Sequence, residues 1–114
     1  MSSLPTRGEI WGADLNPVRG HELAGRRPVL VLSVDEFNHG PAELVIVLPL
    51  TPRDRAIPFH IPLVPPEGGV QEASFALADA IRSVARERLI ERWGTVHSKT
   101  MAEVEDRVSI LLGL

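Results

Sequence analysis

Apolar positions along the chain fall into short runs separated by clusters of Gly, Pro, Asn and Asp, the spacing of strands and turns rather than of long helices. Residues 8–15 (GEIWGADL) alternate roughly and predict a strand, with Gly12 marking a bulge or a close backbone approach. The stretch 16–28 (NPVRGHELAGRRP) is rich in turn residues and predicts a long loop. Residues 29–33 (VLVLS) form a short, continuous apolar strand, and 35–43 (DEFNHGPAE) turn the chain. Residues 44–50 (LVIVLPL) predict a second buried strand, with Pro49 near its end, where a missing N–H is tolerated. After a loop at 51–58, residues 59–64 (FHIPLV) alternate in the manner of an edge strand, and PPEGG turns again. One or two strands are expected in 74–84 (SFALADAIRSV). Residues 87–96 (ERLIERWGTV) fit helix or strand, with Gly94 and Thr95 favouring a strand end.

The last segment has a different period. Met101, Val104, Val108, Leu111 and Leu112 fall on one helical face and predict a buried stripe. Glu103, Glu105, Asp106 and Arg107 leave the other face in water. Thr100 and Glu103 have the spacing of a capping box, with Ser98 as an alternative cap. Short strands at regular spacing followed by one amphipathic helix predict a mainly β, α+β domain: a small, strongly bent sheet or barrel packed by the terminal helix.

Length and composition narrow this picture. The chain has 114 residues, enough for one domain spanning 1–114, and 44% of them are hydrophobic. A domain of this size is marginal alone, so self-association is expected. The chain holds no cysteine, which removes disulfides, cysteine-ligated zinc and cysteine nucleophiles together. No stretch has the length of a membrane span, and the N-terminus has no apolar core of signal-peptide length. The expectation is a soluble cytoplasmic protein without a membrane partner. A net charge of −3 argues against a broad nucleic-acid footprint but allows a local basic site. Arg19, Arg26, Arg27, Arg53 and Arg55 all sit in predicted loops or at strand ends.

Arg26 and Arg27 stand directly before Pro28 and the apolar run 29–33. A guanidinium keeps its charge, so its place at the mouth of a core strand means either solvation or a site that needs fixed positive charge. Taken singly, such an arginine is most often solvated, Thr51 is an ordinary strand-end residue, and His21 is an exposed loop residue. Trp11, between Ile10 and Gly12, reads as core or dimer packing ahead of a base-stacking platform.

The joint pattern says more. Residues 7–33 (RGEIWGADLNPVRGHELAGRRPVLVLS), followed by Phe37–Asn38 and 47–51 (VLPLT), resemble the MazF/PemK family of toxins, the ribonucleases of bacterial toxin–antitoxin pairs. Residues 74–84 match the family's next block, so the resemblance covers nearly the whole chain. It implies a small, open, SH3-like β-barrel with helices attached, a homodimer, and RNA lying in a groove across the dimer interface. It also implies a sequence-specific endoribonuclease that acts on single-stranded RNA, chiefly mRNA, with no metal or cofactor. A cognate MazE-like antitoxin would inhibit it.

Within this resemblance Arg27 matches the catalytic arginine, Arg26 falls at a variable position, and Thr51 matches the threonine that contacts the scissile phosphate. Gly20, His21 and Glu22 match loop residues that contact RNA. Asp79 aligns with a carboxylate proposed as general base in one branch of the family, but Leu77 stands where that branch has its proposed acid, an arginine. Many members also have aspartate where this chain has Ala85. The departure at Leu77 favours Arg27 with Thr51 as the catalytic pair and Asp79 as a binding residue. Arg53, beside Thr51, is a further candidate for phosphate contact.

Those residue types suit the reaction. RNA carries its own nucleophile, the 2′-hydroxyl, so a protein can cleave it by positioning and electrostatics alone. A guanidinium fork matches phosphate oxygens, and a threonine hydroxyl adds one donor. Arginine, with a pKa above ~12, is better placed as a phosphate clamp and proton donor than as a base. The base is then His21 or Glu22, and the products are a 2′,3′-cyclic phosphate and a 5′-hydroxyl. Two other readings remain at this level. One is a gyrase-binding toxin of the CcdB type, although the chain ends SILLGL without the terminal Trp-Gly-Ile of that group. The other is a catalytically degenerate homologue that binds only antitoxin or RNA.

Overall fold

A computed structural model of the chain describes residues 4–16 and 25–114. Among the described residues seven strands are formed: β1 (Glu9–Asp14), β2 (Arg26–Val31), β3 (Leu44–Thr51), β4 (His60–Leu63), β5 (Ser74–Leu77), β6 (Arg82–Ala85) and β7 (Leu89–Thr95). A single helical turn, α1 (Asp35–Asn38), lies between β2 and β3, and the long helix α2 (Ser98–Leu112) closes the described chain.

All the strand pairs are antiparallel, and the sheet runs in the order β4-β5-β3-β2-β1-β7. β3 is its spine. One edge pairs with β2, and the other is shared by β6, opposite Leu44–Val47, and β5, opposite Leu50–Thr51. The chain 74–85 thus follows β3 as one strand interrupted by a 3₁₀ turn at Ala78–Ala80, which satisfies the expectation of one or two strands. β4 is an outer strand of the open sheet, as its alternation predicted.

Alternation along the central strands sends side chains to two clusters. Ile10, Leu30, Leu48 and Leu50 pack with Ile61, Leu63, Val70 and Val96, and Met101 and Val104 of α2 join them. On the other face Trp11, Ala13, Leu15, Val29, Val31, Val45 and Val47 pack with Val84 and Leu89. Trp11 is therefore core, as expected, and its indole Nε1 donates to Glu9 Oε1 at 2.9 Å. Burial on both faces fits a strongly bent sheet rather than a flat one with a wet side.

Three expectations need correction. The strand predicted at 29–33 begins earlier, at Arg26, because Arg26 and Arg27 stand opposite Asp14 and Ala13 of β1 and extend the ladder. The capping box does not form: His97 is the N-cap, Ser98 and Thr100 lie inside α2, and no side chain of the helix's own caps it. Glu67 does so from a distant turn, accepting from the His97 N–H at 2.9 Å and from Thr100 Oγ1 at 2.5 Å. The apolar stripe of α2 is buried at Met101 and Val104 and partly at Val108, but Leu111 and Leu112 are exposed, because the helix outruns the sheet beneath it. Among the described residues no helix is long and apolar enough to cross a membrane.

Candidate active site

β1, β2 and β3 lie side by side, so the start of β2 comes against the end of β3. Arg27 is partly buried there, and its Nη1 donates to the carbonyl oxygen of Leu50 at 3.2 Å. That contact holds the guanidinium beside Thr51, the next residue of β3. Thr51 is only 8% exposed, and its Oγ1 accepts the N–H of Arg53 at 3.3 Å. A hydroxyl that accepts through one lone pair still has its hydrogen to give, so Thr51 can donate one hydrogen bond to an anion.

Arg27 and Thr51 line one cleft of about 360 Å³. Arg26, Pro28, Leu50 and Pro52 continue its wall from β2 and β3, Val70, Gln71, Glu72 and Ser74 face them from the approach to β5, and Trp93 comes from β7. A second cleft of about 240 Å³ shares Arg26, Arg27, Pro28 and Trp93 and continues along Gly12, Ala13, Ile90 and Glu91. The fixed cation therefore sits on a wall common to two adjoining depressions. A clamp for a phosphate with room for a residue of the ligand on either side is what such an arrangement offers chemically.

The remaining expected site residues divide. Gly20, His21 and Glu22 lie outside the described residues. The chain on either side of them is pinned: the Leu15 N–H donates to the Gly25 carbonyl at 3.0 Å, and the Gly25 N–H donates to Asn16 Oδ1 at 3.0 Å. Arg88 grips the Asp14 and Asn16 carbonyls from β7's side of the sheet. Arg53 is exposed at the mouth of the loop after β3, with its backbone bonded to Thr51. Asp79 stands apart from both clefts, on the 3₁₀ turn, where its Oδ1 lies 3.1 Å from Nε2 of the nearly buried His60. Leu77 is buried in β5, and Ala85 ends β6 against Leu44.

Trp93 is the residue the sequence reading passed over. Residues 87–96 fit two periodicities, and nothing in the local pattern distinguishes an indole facing a cleft from one facing the core. Its neighbour Gly94 was the available signal, because a glycine beside a large aromatic in a strand often marks a bulge or close backbone contact.

Fold and cleft together describe a small antiparallel-sheet protein with an arginine on the wall shared by two clefts. The chain belongs to the family of PemK-like, MazF-like toxins of type II toxin–antitoxin systems, which it matches over residues 6–112. The endoribonuclease MazF9 of Mycobacterium tuberculosis is 35% identical over 113 residues, spanning 95% of this chain and 96% of that one. The crystal structure of MazF from Deinococcus radiodurans superposes with a TM-score of 0.88 at 32% identity, covering 99% of this chain and 100% of the other. A crystal structure of MazE–MazF from the same organism contains a chain that superposes with a TM-score of 0.82, again at 32% identity and with 99% of each chain covered.

Proposed function

We propose that the chain is the toxin of a type II toxin–antitoxin pair and an endoribonuclease that cleaves single-stranded RNA without a metal or cofactor. The relatives named as endoribonucleases support the activity, and the MazE–MazF complex supports a cognate antitoxin as partner. The observation that supports the chemistry is the Arg27–Leu50 contact, which ties the guanidinium to the residue before Thr51 in a cleft that Arg27 and Thr51 both line.

In this reading the scissile phosphate lies against Arg27 and Thr51. The RNA 2′-hydroxyl attacks the phosphorus in line, its proton passes to a base, and the P–O5′ bond breaks. The leaving oxygen takes up a proton, giving a 2′,3′-cyclic phosphate and a 5′-hydroxyl. Arg27 neutralises charge that builds on the phosphoryl oxygens, and Thr51 donates one hydrogen bond to them. His21 and Glu22 are the candidate bases, with Gly20 beside them on the strand of RNA. Arg53 adds positive charge at the mouth, and Asp79 contacts RNA away from the reacting phosphate. The active form is a homodimer in the cytoplasm.

Incubating the purified protein with mixed RNA in EDTA tests this directly. The expected result is discrete fragments whose 5′ ends accept phosphate from a kinase without prior phosphatase treatment. Intact RNA, or cleavage that EDTA abolishes, overturns the reading.

A further inference from the structure

The pairing of β7 with β1 is irregular in two places. Ile10 stands opposite Gly94 and Trp11 opposite Arg92, so Trp93 has no partner across the ladder. Gly12 stands opposite Glu91 and Ala13 opposite Leu89, so Ile90 has none either. Each is the extra residue of a bulge, a device that re-aims a side chain out of the regular alternation and recurs beside active sites. Both re-aimed side chains arrive at the wall that carries Arg27. Trp93 lines both clefts, and Ile90, 51% exposed, lines the second.

The backbone under Trp93 is tightly held. A Cβ on Gly12 would lie 3.0 Å from Trp93 Nε1, so the indole passes close over the β1 backbone at Gly12, and a side chain there would push on the ring. A Cβ on Gly69 would lie 2.5 Å from the Trp93 carbonyl oxygen, and one on Gly94 would lie 2.9 Å from the Gly68 carbonyl carbon. The Gly68–Gly69 turn thus presses on the backbone of Trp93 and Gly94. The indole is consequently a partly exposed apolar plate on a closely packed backbone, resting on the core with its open part between two depressions beside Arg27. Trp11, the other tryptophan, is 6% exposed and its ring nitrogen is bonded to Glu9.

We propose that Trp93 is a base-stacking platform, on which a nucleobase next to the phosphate held by Arg27 lies flat, and that it sets nucleotide preference at that position together with Ile90. The inference rests on the reading of the chain as an RNA-cleaving enzyme. Single-stranded RNA is recognised by stacking splayed bases on aromatic rings, and a plate beside a phosphate clamp meets that requirement. Ile90 narrows the second cleft with apolar surface, which favours one ring size over another, while Gln71 and Glu72 across the first cleft offer polar groups to a base edge.

The test uses the full chain and single-stranded 2′-O-methyl RNA of mixed sequence, which lacks the nucleophile. Binding is followed by anisotropy of a dye on the RNA, and stacking by tryptophan emission. RNA should bind and quench emission, and the quench should disappear in Trp93→Phe, where only buried Trp11 still emits. In cleavage of ordinary RNA, Trp93→Phe, which keeps a smaller ring, should raise KM less than Trp93→Ala does. Trp93→Ala should raise KM about tenfold with a smaller effect on kcat and should broaden the bases found beside the cut. Binding without quenching, a quench that survives in Trp93→Phe, or an unchanged cleavage pattern and KM in Trp93→Ala overturns the assignment. Should Trp93→Ala fail to fold, as melting would report, the emission experiment decides by itself. If the wild type neither binds nor cleaves RNA, the enzymatic reading fails and this assignment falls with it.

Discussion

Arg27 donates from Nη1 to the carbonyl oxygen of Leu50 at 3.2 Å, so the cation at the start of β2 is tied to the residue just before Thr51 at the end of β3. Two strand ends distant in sequence are thereby joined at the point where an anion would sit. Arg26, its neighbour, is exposed and points its backbone bonds to β1. Arg27→Ala should fold and lose cleavage by at least about 10²–10³-fold, the range for removing one preorganised donor to a developing oxyanion. Arg26→Ala should retain most of the activity. Rates on the same RNA, with circular dichroism as the control for folding, check both. Equal loss from the two changes would mean that the arginines act as a diffuse positive patch.

Thr51→Val keeps the shape of a side chain that is 8% exposed and removes only its hydroxyl. The expected loss is about 10²-fold in kcat, with little change in melting temperature. Activity at the wild-type level would remove Thr51 from the site.

What could be read in advance follows from how local each cause is. β3 and β4 announce themselves because their apolar runs carry their own period, and Gly12 because its missing side chain has a purely steric reason. Arg26 and Arg27 read as loop because their strand character comes from pairing with Asp14 and Ala13, a partner that no local pattern names. The start of α2 was misplaced for the same reason: its cap is supplied by Glu67, some thirty residues upstream. Arg27 and Thr51 were legible as a pair only through the family resemblance, whereas Trp93 depends on two bulges that become visible only once β7 is laid against β1.

The Glu67 carboxylate does what the glutamate of a capping box does, accepting the N–H of the N-cap residue His97, and also binds Thr100, tying the turn after β4 to the helix. Glu67→Ala should therefore destabilise the protein by about 1–2 kcal/mol, in the range of a lost cap. Thr100→Val should cost less, because the His97 N–H keeps its acceptor. Urea melts measure both. Identical small effects would mean that water replaces the carboxylate without loss.

Glu9 is 8% exposed and accepts from the Thr6 N–H at 2.7 Å, from Trp11 Nε1 at 2.9 Å and from Arg92 Nε at 2.5 Å. Glu9→Ala leaves the buried indole N–H without its acceptor and should cost about 1–3 kcal/mol. Because Arg92 stands one residue from Trp93, the same change should also blur the emission of Trp93 if it loosens β7. A melt unchanged within a few tenths of a kcal/mol would show that the carboxylate is replaceable by solvent.

The exposed end of α2 favours self-association. Its predicted stripe is satisfied by the sheet only through Val108, and beyond that Ile110 and Leu112 are each 59% exposed and Leu114 is 89% exposed. Three apolar side chains in the last turn, counting Leu111 at 38%, and Leu114 just beyond the Gly113 C-cap give the helix end an apolar surface that the single chain does not cover. Contiguous exposed apolar surface of this kind marks an interface more often than a free face, and a two-fold dimer is the commonest way to cover it. The protein should sediment as a homodimer at micromolar concentration. Leu111→Asp with Leu112→Asp should shift it toward monomer and, in a groove built across two copies, lower cleavage in proportion to the dimer lost, while each folded chain keeps its melting cooperativity. A monomer at all concentrations in the wild type contradicts the dimer. A double variant that remains fully dimeric moves the contact away from the end of α2.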